Sequence, residues 1–189
     1  MRRRRPAARP IRLVLTAADG DALDRALGGF LQQRQTSVPG RRVIAVDGKT
    51  LRGSCTAGRP ATALISAMTH SGQVLAQRQV DGKSNEIPAF APLLDNIDLT
   101  GAVVTADALR TQHDHAAYLI ERGAHYLAVV KRNHPGLHEK ARRLPWRNIR
   151  LDHYERGRGH HRDEIRHLKT AAFAHLDYPH ARQALQVVR

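Results

Sequence analysis

Apolar residues in this chain gather in short β-prone runs that end on polar or charged residues, and two of the runs end on an aspartate. Val43, Ile44, Ala45 and Val46 form one uninterrupted run, the pattern of a strand buried on both faces. It stops at Asp47-Gly48, a turn signal, and Lys49, Thr50 and Arg52 follow at once. Ala102, Val103 and Val104 drive a second run onto Asp107. Between the two, Ala63, Ile65 and Ala67 alternate with their neighbours, as do Val74, Ala76 and, less regularly, Val80. These segments flank His70-Ser71-Gly72 and predict a β-hairpin over 61–69 and 73–80. Tyr126 to Val130 predicts a fifth strand that runs into Lys131-Arg132-Asn133.

Helical periodicity fills the intervals. Leu23, Leu27 and Leu31 repeat at i, i+4 and i+8 beside Phe30, so residues 11–34 predict one helical stretch with Asp19 or Asp21 as N-cap. Pro92 suits the first turn of a helix that begins near Ala91 and carries Leu93, Leu94 and Ile97. Residues 113–122 predict a helix with Ala116, Leu119 and Ile120 inward and Gly123 as its stop. A short basic helix over 134–144 ends at Pro145. From Asp152 the texture changes. ERGRGHHRDEIRHLKT is dense in charge without a helical stripe, and predicts one or two exposed strands or a loop insertion; residues 176–189 hold a final helix or strand. The order β-β-β-α-β-α-β defines the α/β class, a mixed sheet with helices on its faces.

Charge changes this picture more than composition does. Lys plus Arg number 31 against 17 Asp plus Glu, a net charge of +14 spread along the chain, which favours a polyphosphate partner such as DNA. Aromatic residues are only 4%, which argues against base stacking as the main mode of binding. The 189 residues suffice for one domain with a real core, alone or with an appendage. Cys55 is the single cysteine, so an internal disulfide is excluded, and it stands in no Cys/His zinc spacing. That fits a reducing cytoplasm, where a DNA partner implies association with the nucleoid. No apolar run approaches membrane-spanning length. Residues 1–10, MRRRRPAARP, predict a disordered basic tail.

A carboxylate at the tip of a buried strand, beside a loop of cations, can hold a metal near a polyanion. Asp47 and Asp107 both fit that description. Taken singly, Asp47 also suits a turn before Gly48, and Asp107 a helix N-cap.

The blocks IAVDGKTLRGS, KSNEIPAF, VVTADALRTQ, YLAVVKRNHPGL and GHHRDEIR occur in this order. In order and spacing they resemble bacterial insertion-sequence transposases, most closely the As-type subgroup that includes the H-repeat-associated proteins, from about Ile11 onward. The resemblance implies an RNase H-like sheet whose Asp-Asp-Glu triad binds two divalent metals, Mg²⁺ or Mn²⁺, for DNA strand cleavage and transfer. Carried over, Asp47 is the first metal-binding carboxylate and Asp107 the second. Lys49, Arg52, Arg110, Lys131, Arg132, His160, Arg162 and Arg166 fall where they would contact DNA backbone, giving affinity without sequence information.

The third carboxylate is where this chain departs from the pattern. In the family the glutamate lies in a later helix, in a block resembling R-x-H-W-x-I-E-N; here the only tryptophan, Trp146, sits in LPWRNIR. Glu164 is the remaining candidate, against a reading as a surface glutamate paired with Arg162 or Arg166. His160-His161 reads as a basic, DNA-facing patch, since adjacent strand residues point to opposite faces. The expectation is therefore a partial catalytic core over 37–189, an RNase H-like mixed sheet incomplete at its C-terminus. Residues 150–175 form a basic strand insertion within it, and 11–36 are the remnant of a preceding domain. Such a fragment would be impaired in catalysis alone. The alternative is a non-enzymatic basic DNA-binding protein, self-associating or acting as an inhibitor that pairs with a full-length transposase.

Overall fold

The run at 43–46 forms a strand at the centre of the sheet, but with Ile44 and Val46 buried on one face and Val43 and Ala45 half-buried on the other. It does not stop at Asp47-Gly48 and continues to Thr50, because the hairpin strand beside it pairs with it that far. The computed structural model describes residues 8–33, 40–58, 60–80, 86–107, 112–132, 134–159, 162–173, 176 and 178–188. In it, β1 (Val43–Thr50) is the middle strand of a five-stranded sheet of order β3-β2-β1-β4-β5. β2 (Ala63–Thr69) and β3 (Val74–Val80) join β1 as an antiparallel hairpin. β4 (Val103–Ala106) and β5 (His125–Ala128) lie parallel to it on the other side. The hairpin closes through the Thr69 N–H to the Gln73 carbonyl (2.8 Å) and the Gly72 N–H to the Thr69 carbonyl (2.9 Å). Gly72, at φ 85°, supplies the left-handed step that a three-residue hairpin loop needs.

Parallel neighbours require crossovers, and α3 (Phe90–Leu94) and α4 (His113–Glu121) lie on them. Ile44, Val46, Ala63, Ile65, Ala67 and Val104 are buried together with Phe90, Leu93, Leu94 and Leu119. The helix expected to reach Ile97 stops at Leu94, and Ile97 is buried from the turn that follows. Arg122, just past α4, donates to the carbonyls of Asp95 (3.2 Å) and Ile97 (3.0 Å) and fixes that turn. Gly123, at φ 70°, ends α4, as its position in the sequence predicts.

The N-terminal segment is two helices rather than one. α1 (Ala8–Ala17) and α2 (Gly20–Gln33) are separated where the Asp19 carboxylate accepts the N–H groups of Asp21 (3.0 Å) and Ala22 (3.2 Å). An aspartate bonded in this way competes with helix continuation and caps the next helix instead. Residues 8–10 of the expected tail are helical; residues 1–7 lie outside the described residues. α2 lies on β3, where the Gln73 amide donates to the Leu31 carbonyl (3.0 Å).

Beyond β5 come α5 (Pro135–Arg142) and a single 3₁₀ turn, Trp146–Asn148. The charged stretch then forms β6 (His153–Gly159) and β7 (Arg162–Ala172), and the closing segment supplies β8 (Gln183–Val188) to the same antiparallel sheet, order β6-β7-β8. Trp146 anchors a second, small core. It is buried edge-on to Phe173 (5.8 Å), its indole donates to the Ala141 carbonyl (2.8 Å), and Lys169 Nζ donates to its own carbonyl (2.6 Å).

Candidate functional site

Strand register brings Asp47 and Asp107 together. β1 and β4 pair in parallel with Val46 opposite Ala106, so each aspartate is the next residue along its chain, on strands about 4.8 Å apart. Side chains alternate along a strand, which turns Asp47 away from buried Val46 and onto the face shared by Val43 and Ala45. Asp107 follows Ala106, one residue past the end of the β1–β4 ladder. Asp47 is half-buried and Asp107 exposed. This outer face is only half-covered: Leu127, on β5, keeps 42% of its surface exposed.

The aspartates extend a polar row across the sheet. Ser66 stands opposite Asp47, and Gln77 opposite Ser66, with the Ser66 hydroxyl donating to Gln77 Oε1 at 3.4 Å. Sequence reasoning missed both residues. The signal was present in the hairpin's alternation, because a polar position between Ile65 and Ala67 must share Asp47's face.

β1, β4 and β5 run parallel, so their C-terminal ends share one edge of the sheet. Lys49 and Arg52 follow Asp47 there, and Lys131 and Arg132 follow β5; all four are exposed. Carboxylate oxygens are the donor type a hydrated hard cation takes, and exposed lysines and arginines on the same edge of the sheet suit phosphate. Among the described residues no group of three or more His, Cys, Asp or Glu could hold a metal ion.

Glu164 lies in the other sheet. On β7 it accepts a charged hydrogen bond from Arg166 (2.7 Å), while Arg166 also stands 3.6 Å from Glu155 on β6. Arg162 starts β7 opposite Gly159. Arg110 and His160 lie outside the described residues.

The start of α4 is held from a distance. Tyr178, in the connection between β7 and β8, donates its hydroxyl to the carbonyl of Gln112 (2.9 Å), the residue before α4. Its ring meets His113 edge-on at 4.9 Å and Tyr126 at 5.7 Å, and the Tyr126 hydroxyl donates to the Pro179 carbonyl. Burial, with a smaller contribution from Tyr126, pushes the Tyr178 hydroxyl up to about 12. Ala106, Ala128, Tyr126 and Tyr178 line part of a cavity of about 20 Å³, room for about one water molecule.

A mixed sheet of this order, flanked by helices and carrying an aspartate on each strand just past the last β1–β4 ladder pair, defines the class: an RNase H-like α/β domain. Residues 38–176 match the family described as Transposase DDE domain, and the chain belongs to that family. The relative named "Putative transposase YncI", of Escherichia coli O157:H7, is 35% identical over 70% of this chain and 35% of its own length. The relative named "H repeat-associated putative transposase YhhI", of Escherichia coli (strain K12), is 39% identical over 66% of this chain and 35% of its own. The chain thus spans about a third of the length of these relatives. The cryo-EM structure of the piggyBac transposase synaptic complex with hairpin DNA aligns with a TM-score of 0.46 at 15% identity, over 96% of this chain and 40% of that one. Among the described residues no helix is long and apolar enough to cross a membrane.

Proposed function

We propose that this chain holds a DNA backbone across the C-terminal ends of β1 and β5, and that Asp47 and Asp107 hold a divalent cation, Mg²⁺ or Mn²⁺, against one of its phosphates. The observation that supports this reading is the register that pairs Val46 with Ala106, the residues before Asp47 and Asp107, in a member of the Transposase DDE domain family. Two carboxylates with open solvent beside them suit Mg²⁺, which keeps several waters and completes its shell with substrate phosphate oxygens. When bound, the cation supplies Lewis-acid activation of water and neutralisation of the phosphodiester. The chain's own part is positioning. Lys49, Arg52, Lys131 and Arg132 grip phosphates on either side of the pair, and Ser66 and Gln77 keep the sheet beside Asp47 polar. Cleavage followed by strand transfer in this family runs on three carboxylates, and Glu164 stands in the outer sheet bonded to Arg166. We therefore assign this chain cation and DNA binding, with strand transfer impaired when it acts alone.

A second reading is DNA binding without chemistry, alone or paired with a full-length transposase. It is favoured by the lack of a third metal-type ligand grouped with the pair among the described residues. Electron paramagnetic resonance titration with Mn²⁺, alongside nicking of supercoiled plasmid, separates the two. Binding that weakens roughly tenfold or more in Asp47→Asn and in Asp107→Asn supports the first, and any nicking by the wild type is then lost in both. Salt-sensitive DNA binding with Mn²⁺ affinity equal in all three proteins supports the second.

A further inference from the structure

We propose that β8 is the seam through which two copies of this chain pair, strand against strand, into a symmetric dimer. β8 ends the outer sheet: β7 lies on one side of it, and among the described residues no strand lies on the other. The register fixes which backbone groups that leaves open. Phe173 stands one step beyond Ala172 opposite Gln183, and its N–H donates to the Arg182 carbonyl (3.1 Å). Hydrogen-bonded pairs alternate along an antiparallel ladder, so Ala171 with Ala184, Lys169 with Gln186 and His167 with Val188 are the others. Gln183, Leu185 and Val187 therefore turn their N–H and C=O groups away from β7, an open row that a further strand can use. Their side chains share one face, where Leu185 and Val187 are 45% and 62% exposed.

Charge selects the occupant. At a net +14 two copies repel wherever basic surfaces meet, so a contact between them needs an uncharged seam. β8, QALQVV, holds no charged residue and no proline, the devices that keep an edge strand single. β6, the opposite edge, carries Glu155, Arg156 and Arg158 and is guarded in that way. A strand that meets its own copy about a two-fold axis runs antiparallel to it and is self-complementary. An axis through Gln186 sets Leu185 opposite Val187 of the second copy, and Val187 opposite its Leu185. Each of these pairs exchanges both N–H···O bonds through the outward groups, and apolar side chains meet across the axis. An axis through Leu185 would instead place polar Gln183 opposite Val187.

Sedimentation velocity on the full chain should show a monomer–dimer equilibrium that tightens as salt rises, because screening relieves the repulsion between copies. Val187→Pro removes an N–H that points away from β7, a change an edge strand tolerates. It is expected to weaken the dimer about tenfold or more, since each half loses a hydrogen bond. Val187→Lys, which charges the seam and leaves the backbone intact, should do the same. Tyr154→Lys, on the β6 edge and 52% exposed, should leave the dimer at wild-type strength. Thiol cross-linking in a Cys55→Ser background reads the register. Gln186→Cys should oxidise to a covalent dimer, because the two sulfurs face each other across the axis within disulfide reach, while Ala184→Cys should stay monomeric on denaturing gels. Three results would each overturn the proposal: a wild type monomeric at every salt concentration, an equal loss in Tyr154→Lys and Val187→Lys, or a dimer intact in both Val187 variants. Cross-linking through Ala184→Cys in place of Gln186→Cys would overturn the assigned pairing.

Discussion

At Tyr118 one hydroxyl joins three groups, and it gives the protein a pH dependence of definite sign. It donates to the Asp95 carboxylate (2.8 Å) and receives Arg122 Nη1 (2.7 Å). Burial first, then the bond to Asp95, push it up to about 12 from the usual 10. As pH rises, the unfolded chain releases this proton before the folded one does, so alkali favours unfolding. The stabilisation is complete below about pH 10 and is lost as pH climbs through about 12. Tyr178, also pushed up to about 12, acts in the same direction. Melting curves recorded across this range should show a steeper fall in Tm for wild type than for a Tyr118→Phe/Tyr178→Phe double variant. Parallel curves would assign the alkaline limb to other groups. At neutral pH Tyr118→Phe should lose about 1 kcal/mol, because Arg122 and Asp95 each lose a partner.

At the scale of elements, α2 and β3 make a contact that two adjacent glycines can test. A Cβ on Gly28 would sit 2.9 Å from the Leu75 carbonyl oxygen, whereas one on Gly29 meets nothing within 4 Å. Alanine in a helix interior is favoured over glycine by about 1 kcal/mol, and forcing a methyl into packed backbone costs roughly 1–3 kcal/mol. Urea denaturation should therefore give opposite signs: Gly29→Ala more stable by up to about 1 kcal/mol, Gly28→Ala less stable by a comparable amount. Stabilisation by both would mean that α2 does not rest on β3 as described. The adjoining cap gives a second measurement, since Asp19→Ala should cost about 1 kcal/mol by freeing two N–H groups. These contacts also show which elements the sequence reveals. β1, the hairpin and α4 are legible because burial imposes alternation or a stop signal on residues close in sequence. Asp19 was legible as one of two N-cap candidates, but α1 before it was not legible as a separate helix, because it buries no residue and leaves no inward stripe. The outer sheet was legible only in part, as one or two exposed strands or a loop insertion, for another reason. β7 is held by cross-strand pairs such as Glu155 with Arg166, and it buries too little for an apolar period to appear. Both aspartates were expected at strand tips; Asp107 follows the end of β4, but Asp47 lies inside β1, because β2 pairs with that strand as far as Thr50. Tyr178 was not legible, because a single hydroxyl bond across 66 residues leaves no pattern in the chain.

For the whole molecule the dominant quantity is a charge of +14, and the question is whether it acts as a diffuse cloud or as a seated set of phosphate contacts. A diffuse cloud would make every lysine and arginine equivalent, so removing any two would have the same small effect. Seated contacts are few and local, and each phosphate neutralised adds about 0.9 to the slope of log K against log salt on duplex DNA. The fold favours seating, because Lys131 and Arg132 follow the end of β5 on the edge where β1 delivers Asp47. Arg142 and Arg143 make the contrast. Both already pair with Glu139 on α5, at 3.0 and 2.8 Å, and are less available to phosphate. Fluorescence-anisotropy titrations of a duplex over a range of salt should give a slope lower by about 2 for Lys131→Ala/Arg132→Ala, with Arg142→Ala/Arg143→Ala close to wild type. Asp47→Asn, which removes negative charge at the same edge, should leave the slope intact and raise affinity in the absence of divalent ions. Equal slope changes in the two basic pairs would show that the edge holding the aspartates is not where DNA lies. The carboxylate pair would then have no substrate phosphate to work on, whatever cation it binds.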